Sequence, residues 1–288
     1  MNLNLSNNIQ NIDCLDGMKS LPDNSIDTII ADPPYNIGKD FGNESDKREM
    51  TEYIDWSMEW INEAYRILND GGSLFIYGFS EILAHIFVNI HYNKKWLIWH
   101  YTNKTVPSLK DWQRSHESII HVWKGKKNFN VDDVREPYTE SFLNNAAGKK
   151  RKNTKSRFGS KETVYVANEK GALPRDVIKV PALAGGAGAN ERWFYCYDCE
   201  DAFNPKEKTH HKEHNFFAHP TQKPYNITKT LLLSSIPKDR QPNVVIPFAG
   251  SGSETIVARD LNCNFVGYEL NQDYVKLGNR WLEKTFKQ

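Results

Sequence analysis

The stretch IIADPPYNIG, residues 29–38, constrains the fold more than any other part of the chain. The run SIDTII at 25–30 alternates into β-branched residues and reads as a buried strand. Two prolines then follow Asp32. Proline fixes φ, lacks an N–H and restricts the residue before it, so Asp32 and Pro33 are both held extended and no helix can start there. The chain therefore stops abruptly, with the Asp32 carboxylate, the Pro33 carbonyl, the Pro34 ring and the Tyr35 phenol at one stiff kink. Two fixed acceptors suit an NH2 group, which has two hydrogens. An aromatic face beside them suits a planar ring carrying that group. The ligand so described is an exocyclic amine on a heteroaromatic base, and the kink preorganises acceptors where positive charge develops on nitrogen.

A second punctuated unit lies near the other end. NVVIPFAGSGSETIVARDL, residues 243–261, reads as strand, glycine turn and helix. Gly250 and Gly252 let the backbone approach a ligand without an intervening Cβ. The next strand ends at Glu269, about 20 residues on, the spacing at which an acid accepts from ribose hydroxyls. Thr255 stands where the third glycine of a dinucleotide fingerprint would be, which favours a nucleoside cofactor without phosphates.

Between these units the periodicity predicts a polar, mobile loop over 36–50, a helix over 51–68, a strand over 73–79, a helix over 80–93, and strands over 96–101 and 117–123. Residues 124–191 are polar, basic and broken by Gly and Pro, and regular structure resumes near 223. Alternating strands and helices predict an α/β fold with a parallel, doubly wound sheet, whose ligands bind at the carboxyl ends of the strands. Both punctuated units sit at such ends. The chain divides into a core half over 1–124, an insert over 125–215 and a second core half over 216–288. Net charge is +1, so a polyanion must be met by a local basic patch. Lys149, Lys150, Arg151, Lys152, Lys155 and Arg157 form one, with no acid among them. The N-terminus lacks the pattern of a signal peptide, no stretch is apolar enough to span a membrane, and four cysteines fit a reducing cytoplasm.

Together these motifs resemble the β class of S-adenosylmethionine-dependent DNA amino-methyltransferases. DPPY at 32–35 is similar to their catalytic motif, PFAGSG at 247–252 to their cofactor loop, and HPTQKP at 219–224 to the segment before it in this permuted order. Smaller similarities are GGSLFIYG at 71–78, WHYTNK at 99–104 and SHESIIHVWK at 115–124. The resemblance implies a Rossmann-like sheet with an inserted target-recognition region over 125–215. It implies catalysis by Asp32, Pro33, Pro34 and Tyr35 on a flipped adenine, with transfer to N6, since Asp-Pro-Pro-Tyr is typical of adenine enzymes. Cytosine-N4 methylation and a non-catalytic nucleic-acid-binding relative are the alternatives. It implies that Asp13 and Cys14 meet the cofactor's adenine, that His219, Thr221, Gln222 and Lys223 line its methionine and ribose side, and that Phe248, Ala249, Gly250, Ser251 and Gly252 form its loop with Glu269 and Asp32 close by. It further implies double-stranded DNA as partner, contacted by the basic run, a cognate restriction endonuclease, and a monomer or homodimer. The chain departs from the pattern at Ile246, where the family has Asp, and at Ser253 and Glu254, where it has two threonines.

CYDCEDAFNPKEKTHHKEH, 196–214, has the spacing of a Cys2His2 metal site. The expected ligands of a structural zinc are Cys196, Cys199, His210 and His214.

Overall fold

The computed structural model describes residues 3–39, 46–103, 107–145, 149–151, 163–164, 167–183 and 191–284. In chain order the elements are β1 (Ile9–Gln10), α1 (Cys14–Lys19), β2 (Ile26–Ala31), α2 (Met50–Ile67), β3 (Leu68–Gly78), α3 (Ser80–Asn89), β4 (Asn93–His100) and β5 (His116–Trp123). Then come α4 (Glu140–Asn145), β6 (Lys150–Arg151), β7 (Thr163–Val164), β8 (Val177–Lys179), β9 (Phe194–Cys196), β10 (Asp201–Phe203) and β11 (Phe216–Phe217). The last are α5 (Tyr225–Ser235), β12 (Asn243–Ile246), α6 (Ser253–Asp260), β13 (Asn264–Tyr268) and α7 (Gln272–Glu283).

Eight strands form the central sheet in the order β1-β13-β12-β2-β3-β5-β4-β8. Its inner strands β2, β12 and β13 and the second half of β3 are buried on both faces, which is why they read as continuous apolar runs. Within each, successive side chains go to opposite sides. Ile29 of β2, Leu74 and Ile76 of β3 and Val245 of β12 join one core cluster with Met18, Trp60 and Leu83 of α1, α2 and α3. Ile30, Phe75, Tyr77, Val244 and Ile246 join the other, with Ile227 of α5 and Val257 of α6. Ile246, where the family pattern has an acid, is thus a core residue, 1% exposed.

The expected all-parallel sheet is mixed. Pairs β1·β13, β13·β12, β12·β2, β2·β3 and β4·β8 are parallel, whereas β5 is antiparallel to both β3 and β4. The consequence for function is that β5 presents its first residues, not its last, at the edge where β2 and β12 end. Gly78, the last residue of β3, pairs with Ser118, so Glu117 lies just beyond that edge.

The segment expected as one insert over 125–215 is divided. Phe129–Arg175 is a compact unit of its own, whereas Asp176 onward belongs with Met1–Asn128. In the small unit β6 pairs with β7, and Tyr138 stacks on Phe142 at 4.7 Å. In the large one β8 joins the central sheet, and β10-β9-β11 make a three-stranded sheet whose Trp193 stacks on Trp281 of α7 at 5.1 Å. No helix among the described residues is long and apolar enough to cross a membrane.

Candidate active site

β2 and β12 are neighbours in the sheet, and the chain leaves them in opposite lateral directions: from β2 toward β3, from β12 toward β13. That reversal is a topological switch point, and an open α/β sheet leaves a crevice outside the strand ends there. A cavity of about 720 Å³ occupies it. Asp32, Pro33, Pro34 and Tyr35 from the end of β2 line it, with Phe248, Ala249, Gly250 and Ser251 after β12 and Glu269 after β13. Asp13 and Cys14 after β1, and His219, Thr221, Gln222 and Lys223 before α5, complete the sequence-predicted set in the wall. Gly252 stands apart, as the residue before α6, with φ +84°. A Cβ there would stand 2.9 Å from the Gly278 Cα.

The kink holds its acceptors as expected. The Tyr53 hydroxyl of α2 donates to the Pro34 carbonyl at 2.7 Å, which fixes the turn onto the helix. The Pro33 carbonyl takes no hydrogen bond among the described residues. Asp32 is held from two sides: the Tyr35 hydroxyl donates to Oδ1 at 2.7 Å and the Lys223 ammonium to Oδ2 at 2.5 Å. Tyr35 also lies 2.8 Å from Glu117 Oε2, and the Tyr101 hydroxyl donates to Glu117 Oε1 at 2.6 Å. The one phenolic proton thus faces two carboxyl oxygens. Burial and then Asp32 and Glu117 hold the Tyr35 phenol well above its ordinary range, so it remains a donor. The Tyr35 ring sits edge-on to Phe79 at 5.1 Å.

Lys223 is 3% exposed. The resemblance expects it on the cofactor side, but its ammonium sits on Asp32 and lies 3.8 Å from Glu117. Burial would lower its pKa, yet Asp32 and then Glu117 more than offset this and hold it raised. Glu117 and Tyr101 are site residues that the reading of the sequence misses. The available signal was an acid at the head of an apolar strand, but only the reversed direction of β5 brings it to the site. Glu254, in the first turn of α6, is also buried, with Oε2 accepting from Ser253 at 2.7 Å and Oε1 without a partner. Burial and then the charge of Asp32 push its carboxyl up to about 7.

The glycine loop is built for close approach. Gly250 has φ +49°, and a Cβ there would stand 3.0 Å from the His219 Nε2 and narrow the crevice. Glu269 braces this loop: Oε2 accepts from the Gly250 N–H at 2.9 Å and Oε1 from the Asn271 N–H at 2.7 Å. Burial raises its pKa, and these backbone donors counter that. Phe248 packs edge-on against Trp60 at 5.2 Å. His219 meets Tyr274 edge-on at 4.6 Å, and burial followed by the nearby Lys223 lowers its pKa to about 3, so the ring is neutral. Gln222 is a clamp: Oε1 accepts from the Trp193 N–H at 3.0 Å, and Nε2 donates to the Glu191 carbonyl at 2.7 Å. Asp13 caps α1, accepting from Leu15 N–H at 2.8 Å. Burial and Asp13 push the Cys14 thiol up to about 12, which leaves it unreactive.

The mouth of the crevice is partly described. Asn36 and Arg48 exchange two hydrogen bonds, and the Lys39 N–H donates to Asp46 at 2.7 Å, so the two ends of the loop after the kink are tied together. Of the expected DNA contacts, Lys149 is exposed, Lys150 and Arg151 lie in β6, and Lys152, Lys155 and Arg157 fall outside the described residues.

One expected metal ligand is corrected. Cys196, Cys199, His211 and His214 bring their ligand atoms together, and His210 is not among them. The short helix over Pro205–His211 is of the 3-10 type, and the turn continues through His214, whose N–H donates to the His211 carbonyl at 3.1 Å. In such a turn side chains three apart eclipse, which pairs His214 with His211 rather than with His210.

The family model described as DNA methylase, N6_N4_Mtase, matches residues 26–280. The chain is 27% identical to the Type II methyltransferase M.HpaI of Haemophilus parainfluenzae, over 93% of its own length and 72% of the relative's. It is 29% identical to the DNA adenine methyltransferase YhdJ of Escherichia coli K12, over 94% and 81%. Its fold is similar to that of the PvuII DNA methyltransferase, cytosine-N4-specific, with a TM-score of 0.64 at 14% identity, covering 97% of this chain and 87% of that one. The structure titled M1.HpyAVI-SAM complex gives 0.52 at 18% identity, covering 94% and 97%. With its proline kink and glycine loop facing one crevice, this chain belongs to the N6_N4_Mtase family of DNA methylases.

Proposed function

We propose that the protein transfers a methyl group from S-adenosylmethionine to the N6 amine of an adenine turned out of double-stranded DNA. The observation that carries this reading is the shared cavity. The Asp32–Pro33 acceptor pair and the glycine loop line the same walls, so a base amine and a nucleoside cofactor meet there. The residues fit the cofactor: the wall lacks a Cβ at Gly250 where one would crowd His219, and the neutral His219 ring adds no charge of its own. Glu269 and Gly250 would hold the ribose side, Asp13 and Phe248 the adenine side, and Thr221 the methionine side. When bound, the cofactor supplies an electrophilic methyl group on a sulfonium.

The chain's own part is positioning and charge. Asp32 and the Pro33 carbonyl accept the two amine hydrogens, which draws the nitrogen lone pair out of ring conjugation and stabilises the charge that develops there. Lys223 fixes Asp32 in place through its ammonium. Tyr35 and Phe79 offer aromatic faces for the flipped base. The exposed Leu109 and Trp112 lie in the loop before β5, whose Arg114 stacks over Phe79 at 4.0 Å. We place DNA on this side of the crevice.

Nucleoside mass spectrometry of mixed-sequence DNA, after incubation with purified protein and labelled S-adenosylmethionine, tests the proposal. N6-methyladenine is the expected product. N4-methylcytosine would keep the chemistry and overturn the base. Cofactor binding without any methylated nucleoside would favour a non-catalytic DNA-binding relative.

A further inference from the structure

The β9–β10 hairpin and the turn at 211–214 carry four potential ligands that the methyl-transfer site does not use. Cys196 closes β9 and is fully buried, and Cys199 lies in the hairpin turn. The ligand atoms of Cys196, Cys199, His211 and His214 all lie within 4.8 Å of one another. The His214 Nδ1 is 3.5 Å from the Cys196 Sγ and 3.3 Å from the Cys199 Sγ, and the His211 Nδ1 is 3.7 Å from the Cys199 Sγ. A tetrahedral centre with bonds of about 2.3 Å to sulfur and about 2.0–2.1 Å to nitrogen sets sulfur and nitrogen roughly 3.6 Å apart. The three observed separations bracket that value. Thiol hydrogen bonds explain them less well, because the single lone pair on His214 Nδ1 can serve one S–H donor and here faces two sulfurs.

We propose that these four side chains bind one zinc ion, which clips the 193–217 sheet and so fixes the start of the segment that carries His219 and Lys223. The connectivity is short. Phe216 of β11, two residues after His214, pairs with Cys196 of β9. At the other end of β9 the Trp193 N–H is held by Gln222. The chain from 215 to 222 is therefore anchored at both ends to β9, and the metal holds β9 to the turn that precedes it. His211 also stacks on Phe203 of β10 at 4.0 Å, which orients its ring. The small sheet docks on α6 and α7 through Trp193, Tyr195, Ala202, Ile256, Leu277 and Trp281, so loss of the metal should loosen the hairpin and turn without unfolding the core. The site is independent of which base is methylated.

The test is metal analysis of the full chain purified without chelator or affinity-column metal, with cobalt substitution as a second readout. One zinc per chain is expected, and cobalt should give the visible bands of a tetrahedral thiolate site. Cys199→Ser and His211→Ala should each lower zinc occupancy at least tenfold under dilute chelator, whereas His210→Ala should retain it. Amide hydrogen exchange across 211–224 should rise on metal removal while exchange in β2 and β12 stays unchanged. A metal-free protein that gives no cobalt spectrum would overturn the proposal. So would zinc retained by His211→Ala and lost by His210→Ala, or exchange at 211–224 indifferent to the metal. None of these readouts depends on methyl transfer.

Discussion

Glu254 offers a quantitative test of the site's electrostatics. It is 3% exposed, has one oxygen without a partner and shares the crevice floor with Asp32. Its pKa rises from an ordinary 4.5 to about 7 on folding, through burial and then the Asp32 charge. A raised carboxyl means that the folded protein favours the protonated form. The stability it carries is therefore full below about pH 4.5 and declines as pH rises, because the unfolded chain ionises first. The decline ends near pH 7, where the folded form ionises as well. At about 1.4 kcal/mol per pH unit, the whole loss is roughly 3 kcal/mol. Glu254→Gln has the shape of the protonated acid and cannot ionise. Urea denaturation of parent and variant without cofactor, at pH 5 and pH 8, isolates the effect. The variant should gain on the parent by roughly 2 kcal/mol between those two values, since part of the loss has already occurred at pH 5. A gap that does not change with pH would refute the reasoning. A gap of opposite sign would show that Lys223 holds Glu254 as a carboxylate.

Other perturbations reach the same network. Lys223→Met removes the cation between Asp32 and Glu117 and should cost about 3–5 kcal/mol of unfolding free energy by denaturation, with partial rescue by Glu117→Gln. Gly252→Ala forces a side chain into a left-handed backbone conformation against the Gly278 backbone, and should lower the melting temperature with a loss of at least about 1–2 kcal/mol. Trp112→Ala should weaken DNA binding in a fluorescence anisotropy titration while leaving cofactor affinity unchanged, because the side chain is 96% exposed and lies outside the cavity wall.

What the sequence reveals depends on how local the signal is. The kink at 32–35 and the loop at 247–252 are legible because proline and glycine act on their own backbone, and because a strand end is where an open α/β sheet binds ligands. Lys223 is legible as a site residue, but its partner is not, since Asp32 lies 191 positions away and the pair forms only when the sheet assembles. Glu117 is hidden for a related reason: a residue at the head of β5 reaches the site only because β5 runs against its neighbours. Gln222 reads as a ligand contact and lines the crevice, but its backbone clamp is hidden, because a buried amide with both ends satisfied carries no mark in sequence. The metal ligands show the limit of spacing rules. The spacing rule favours His210 and His214, separated by three residues in HHKEH, and the 3-10 turn decides that His211 and not His210 faces the cysteines. β8, which lies inside the expected insert and joins the sheet edge, is three residues long and has no extended apolar run to announce it.

The central claim is that Asp32 acts on the target amine and not on the cofactor. Single-turnover methyl transfer to DNA by Asp32→Ala, with S-adenosylmethionine binding verified by calorimetry, tests it most directly. The account predicts transfer lowered by at least about a thousandfold, or about 4 kcal/mol of transition-state stabilisation, with cofactor affinity largely retained. Transfer at the parent rate would contradict it.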